Sequence, residues 1–230
     1  MSTPFLPTFE NGGFWEYYKD LERQFENYLE HVPYLSGNES TYSFRLANLI
    51  LSTGAHIDSA FKEIANNTVL ASKYPLILKD AKGNPRKTTI WDYFPLAIEY
   101  DLPKLKVLFK RLPSREDVLP FQQFQKVSVA GSGDKIICPD WWNDYNQIKH
   151  QFSSNLSKAT LKTARDTLAA AFLLNVVHIP AARRLCEFGL VRDYGGEITL
   201  GCAMFEKFLI EKKNPWNSVE TPLFVFLYHQ

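Results

Sequence analysis

The sequence predicts a mainly α fold on three observations. Four segments, 14–31, 41–66, 140–152 and 157–178, carry apolar residues at helical spacing. Pro75, Pro85, Pro103, Pro113 and Pro120 break the middle third into short pieces. The last stretch, 222–228, is aromatic and β-prone, which predicts a short C-terminal strand. The expected architecture is a four-helix bundle interrupted by an irregular α/β insertion, because stripes of matching length bury their faces best against one another.

The first helix places Trp15, Tyr18, Leu21/Glu22, Phe25 and Tyr28/Leu29 on one side, after Gly12-Gly13 and before Pro33. The second places Leu46, Leu49, Ile50, Ile57, Ala60, Phe61 and Ile64 together, with Arg45, Ser52, His56, Ser59 and Glu63 on another side. That polar stripe reads equally as a solvated face or as a wall of a cleft. Gly54 is either a tolerated interruption or a point of close helix approach.

Within 68–139 the run Ala81-Lys82-Gly83-Asn84-Pro85 signals a turn between two short segments, 76–79 and 87–90, which suggests a hairpin. A short helix is expected over 89–100, with Thr88 or Thr89 as its cap and Asp92 in its first turn. Residues 104–109 alternate like a strand, and 130–134 form a loop. Asp140 is the expected N-cap of the third helix. The fourth helix is apolar on all sides in its second half and belongs deep in the core, ending at Pro180. A short helix at 181–188, a turn at Gly195-Gly196 and a helix at 203–212 complete the reading. One domain is expected: a first helical pair at 14–66, the insertion or arm at 68–139, a second pair at 140–190 and a C-terminal extension at 191–230.

Composition narrows the function classes. With 230 residues, 45% of them hydrophobic, the chain can bury a sizeable core. A net charge of +1 gives no global attraction for polyanions, so any nucleic-acid contact must come from a local patch or a dimer groove. Cys138, Cys186 and Cys202 have no metal-binding spacing, so no metal and no cofactor are expected. The scattered thiols, the first ten residues and the lack of a long apolar run fit a cytoplasmic protein without a membrane span.

The most informative segment is Trp141-Trp142-Asn143-Asp144-Tyr145-Asn146-Gln147-Ile148-Lys149-His150. On a helical wheel Trp141, Tyr145, Ile148 and Phe152 form the core stripe. Asn143, Asn146 and His150 fall opposite, with Trp142 and Lys149 along a flank. A surface of an imidazole, two amides and an indole is not the usual Lys- and Glu-rich helix face. This string, followed by the apolar helix ATLKTARDTLAAAFLLNVV and preceded by FRLANLILSTGAHIDSAFKEI, resembles bacterial helical proteins of the HEPN superfamily that carry a WWxxYNxxKH string. The resemblance covers about half the chain.

The resemblance implies a HEPN-like four-helix bundle, a homodimer, and either RNA or an antitoxin-like protein as partner, in a bacterial toxin–antitoxin or phage-defence setting. Many HEPN proteins are metal-independent RNases whose motif is an Arg followed four to six residues later by a His. His150 matches the histidine and Asn146 the polar residue after the arginine. Positions 144 to 146 are Asp, Tyr and Asn, so the arginine is missing. The primary expectation is therefore self-association with RNA or protein binding through Asn143, Trp142, Lys149, His56 and Arg45. The alternatives are an RNase using His150 as general acid/base with Asn146, or a non-catalytic structural dimer. A lone histidine without a positioned partner more often bonds across an interface than catalyses. Lys149, Arg45 or Arg165 is the cation that the fold would have to bring to His150 to replace the missing arginine.

Overall fold

The computed structural model describes residues 8–110, 116–129, 133–178 and 218–227. Among these the chain is mainly α, with a few short antiparallel strands. The helices are α1 (Gly13–Leu29), α2 (Phe44–Asn66), α3 (Thr68–Lys73), α4 (Phe94–Glu99), α5 (Asp140–His150), α6 (Phe152–Asn155) and α7 (Leu161–Val177). The strands are β1 (Val107–Phe109), β2 (Glu116–Val118), β3 (Gln125–Val129), β4 (Gly133–Ile137), β5 (Ser218–Glu220) and β6 (Phe224–Leu227). The readings at 181–188, 195–196 and 203–212, and Cys186 and Cys202, lie outside the described residues.

Helix α7 is the centre. Every residue from 163 to 177 is buried, including Arg165, Asp166, Thr167 and Asn175. The apolar majority explains the position, and each polar group has a partner that lowers the cost of leaving water. Arg165 bonds Asp166 and Glu116 and lies over the Tyr34 ring. Thr167 donates to the Thr163 carbonyl, and Asn175 to the Ala171 carbonyl. Helices α1, α2 and α5 pack around α7.

Helix α2 starts at Ser43, whose hydroxyl accepts from the Leu46 N–H. Gly54 is a point of close approach: a Cβ built there would overlap the Tyr145 ring on α5. That contact sets how near α5 can lie to α2. Helix α5 begins with Pro139 as its cap, not Asp140. Asp140 is instead the first helical residue, held by Gln123: its N–H donates to Gln123 Oε1 and its carboxylate accepts from Gln123 Nε2, both at 2.8 Å. Trp141 fixes the same junction by donating from Nε1 to the Pro120 carbonyl at 2.6 Å.

The middle third is less detached than the word arm implies. Residues 76–79 and 87–90 form no ladder; only a bridge joins Lys79 to Pro85, with Gly83 at a positive φ in the turn. Residues 90–93 form a 3-10 turn that runs into α4, entered at Thr89, whose N–H and hydroxyl both donate to Asp92. The expected strand at 104–109 contracts to β1. It joins a four-stranded antiparallel sheet of order β2-β1-β6-β5, with Leu108 opposite Val225 and Phe109 opposite Phe224. The C-terminal strand expected over 222–228 is β6. Strands β3 and β4 pair with each other as a separate, largely exposed hairpin leading into α5.

Candidate nucleic-acid interface

A groove of about 1340 Å³ runs along α5. One wall is the outward side of α5 with the start of α7. The other is the segment 86–91 together with Asp58 and Lys62 of α2. The spacing that sets Trp141, Tyr145 and Ile148 into the core leaves Asn143, Asn146 and His150 on this outward side. The groove brings together five sequence-predicted residues: Trp142, Asn143, Asn146, Lys149 and His150.

The remaining two are elsewhere. Arg45 is exposed at the start of α2 and lines no part of the groove. His56 is buried, 3% exposed, within hydrogen-bond range of Asn175 at 3.3 Å. Burial lowers its pKa to about 4, so its ring is neutral at ordinary pH. The polar stripe of α2 is split because α2 packs against both α1 and α7. His56 turns inward, whereas Arg45 and Ser59 stay exposed.

Sequence reasoning missed the opposite wall. Trp91 is a large, exposed indole, at 52%, and it lines the groove beside Lys87 and Arg86. The available signal was the indole at the start of the expected short helix 89–100, four residues after Lys87. Trp142, read as a flank residue, is 5% exposed yet still contributes to the groove wall, packed on Trp141 and Tyr145.

Charge in the groove is mixed with a cationic excess. Lys62, Arg86, Lys87, Lys149, Lys158 and Lys162 face Asp58, Asp140, Asp144 and Asp166. Lys62 pairs with Asp58, Lys162 with Asp166 at 2.6 Å, Lys158 with Asp144 at 3.6 Å, and Arg86 with Asp92. Burial raises the Asp144 pKa against the opposing hydrogen bond from Thr163. Among the described residues Lys87 has no carboxylate partner. Lys149 has only the Tyr145 hydroxyl, at 3.3 Å, and the ring beneath it. Among the described residues these two ammonium groups of the groove are the ones not paired with a carboxylate.

His150 is exposed and makes no side-chain hydrogen bond with the described residues. The cations considered as substitutes for the missing arginine are otherwise placed. Arg165 is 5% exposed and engaged by Asp166 and Glu116, outside the groove, and Arg45 is also outside it. Lys149 is in the groove but next to His150 in sequence, so the two point about 100° apart around the helix axis.

Among the described residues no group of three or more His, Cys, Asp or Glu side chains is arranged to hold a metal ion, and no helix is long and apolar enough to cross a membrane. The arrangement places two ammonium groups, the amides of Asn143, Asn146 and Gln147 and an exposed indole along one groove. Comparison of the chain with family models, curated proteins and solved structures finds no match.

Proposed function

We propose that this chain is a HEPN-like helical protein that binds single-stranded RNA in the groove along α5 without cutting it. The observation that carries the reading is one groove holding two cations, Lys87 and Lys149, without carboxylate partners among the described residues, together with the exposed Trp91 indole. Ammonium groups track a phosphate backbone and release its counterions, while an indole stacks on any unpaired base. The amides of Asn143, Asn146 and Gln147 add hydrogen-bonding groups along the same wall.

Fluorescence anisotropy with a labelled 12-nucleotide RNA between 50 and 200 mM salt (concentrations of about that range expose the electrostatic component) tests this reading. Binding is expected, and Lys87→Ala/Lys149→Ala flattens the salt slope by roughly 1.4, about 0.7 for each lost phosphate contact. Trp91→Ala weakens binding by about 1–3 kcal/mol at every salt concentration. Failure of the wild type to bind at the lowest salt overturns the proposal, and capture of a protein instead would redirect it. The reading also expects no metal-free RNA cleavage. Robust wild-type cleavage abolished in His150→Ala would establish the RNase.

Self-association through the outward side of α5 belongs to the same proposal as its second half. Because that side is also the groove wall, a dimer formed there covers Asn143, Asn146 and His150. Sedimentation should therefore show a dimer that RNA dissociates. A wild type that stays monomeric at micromolar concentration removes this half and leaves the RNA groove standing.

A further inference from the structure

Beside the groove lies a second cavity of about 590 Å³, between α1, α2 and the segment 78–88. Phe14 and Tyr17 from α1, Ala55, His56 and Ser59 from α2, and Leu78 supply its walls. The aromatic rings sit close together: Phe14 is 5.1 Å and Tyr17 5.5 Å from the His56 ring, both edge-on. His56 is uncharged at neutral pH, and the one carboxylate on the lining, Glu63, accepts from the Phe9 N–H at 3.0 Å. Two polar side chains at its open rim, Ser59 and Asn66, are exposed and make no side-chain hydrogen bond with the described residues. A largely apolar concavity of this size with a few free polar groups is the usual form of a site for one planar organic group.

Lys62, Arg86 and Thr88 line both this cavity and the groove. The two spaces therefore meet where Lys62 and Arg86 are paired with Asp58 and Asp92, beside Lys87, which has no carboxylate partner among the described residues. We propose that the cavity receives one unstacked base of the RNA strand whose backbone follows the groove. The backbone stays in the groove at Lys87, and the base passes Arg86 and Thr88 to enter among Phe14, Tyr17 and Leu78. Ser59 and Asn66 meet its polar edge. Sequence-specific reading of RNA commonly works through splayed bases of this kind, since a base inside a stack hides its faces. The proposal rests on RNA binding in the groove and adds to it a position at which the strand is read singly.

The test uses the full chain and 12-nucleotide oligo-uridine carrying one 2-aminopurine, placed in turn along the strand. Its readouts are affinity and protection of the probe from acrylamide quenching. One position should be strongly protected. Ala55→Trp fills the cavity from a residue that does not line the groove. It should abolish that protection and weaken binding about tenfold, a typical stacking contribution, while the salt slope is unchanged. Ser59→Leu should act in the same direction by blocking the lining from the next turn. Wild-type affinity and intact protection in both variants overturn the base cavity and leave the groove reading in place. No RNA binding by the wild type overturns both. Binding of free AMP that Ala55→Trp abolishes, with RNA binding untouched, would overturn the proposal in favour of a separate nucleotide site.

Discussion

Gly54 and Tyr145 show how one missing side chain sets the position of the groove wall. Gly54→Ala gains helix propensity, up to about 1 kcal/mol. It also forces a methyl into the Tyr145 ring, which is 3% exposed and cannot swing into solvent without opening the core. Overpacking of this kind costs about 1–3 kcal/mol, so the net effect is destabilising. A lowered thermal midpoint in Gly54→Ala, partly restored in Gly54→Ala/Tyr145→Leu, is the expected result; an unchanged midpoint would contradict the contact. The residue scale is also where the wheel was least able to choose. Trp141, Tyr145 and Ile148 were legible as core, because one stripe faces one neighbour. His56 was not, since a helix flanked on two sides buries part of its polar stripe as well. Trp91 lay within the expected helix 89–100, but a helix of so few turns carries no stripe that would tell an exposed indole from a buried one.

At the scale of elements, the helices are legible and their partners across long sequence gaps are not. The stripe on α1 already grouped Glu22 with Leu21, and Glu22 is indeed buried, at 2%. Nothing local announces that its carboxylate accepts hydrogen bonds from Thr221 and the Leu223 N–H at the entry to β6. Burial raises the Glu22 pKa, with those two bonds opposing the shift. A folded pKa above the unfolded one means that the native state holds the proton more tightly. Stability is therefore highest at or below the ordinary carboxylate range and falls as pH rises through the raised value. Glu22→Gln keeps an acceptor and removes the charge. Urea unfolding should find the variant more stable than wild type at pH 7, with the difference vanishing near pH 4. A constant difference across that range would show that Glu22 is not the titrating group. In the same way the middle third was readable as short broken pieces, because prolines act locally, but β1 finds β6 only through the tertiary fold.

For the whole molecule, a net charge of +1 conceals a groove with six cations and four carboxylates, because opposite charges elsewhere cancel in the sum. The buried histidines have the larger reach. His56 and His178 are both held neutral by burial, with pKa values lowered to about 4 and about 3, and the Tyr100 hydroxyl lies 2.7 Å from His178 Nδ1. Unfolding lets each ring take a proton near pH 6.5. Their contribution is complete above that pH and is lost as pH falls towards the folded values. In a Glu22→Gln background, which removes the most buried of the carboxylates that oppose this trend, the midpoint should stay level from pH 8 to 7 and decline below about 6.5. His56→Gln should make the decline shallower. A curve with no slope between pH 6.5 and 4 would contradict the neutral, buried assignment.

The sheet order β2-β1-β6-β5 also governs when the molecule can finish folding. Glu22 and Thr221 are 199 positions apart, yet a hydrogen bond joins them, and β1 lies between β2 and a strand from the far end of the described chain. During synthesis α1 and α2 emerge with their mutual contacts available, while β1 keeps one edge unpaired until β6 leaves the ribosome. Closing so long a loop is entropically late and slow. The nascent protein therefore passes through a stage with an open strand edge, where a chaperone or a like chain can compete with β6 for the same backbone.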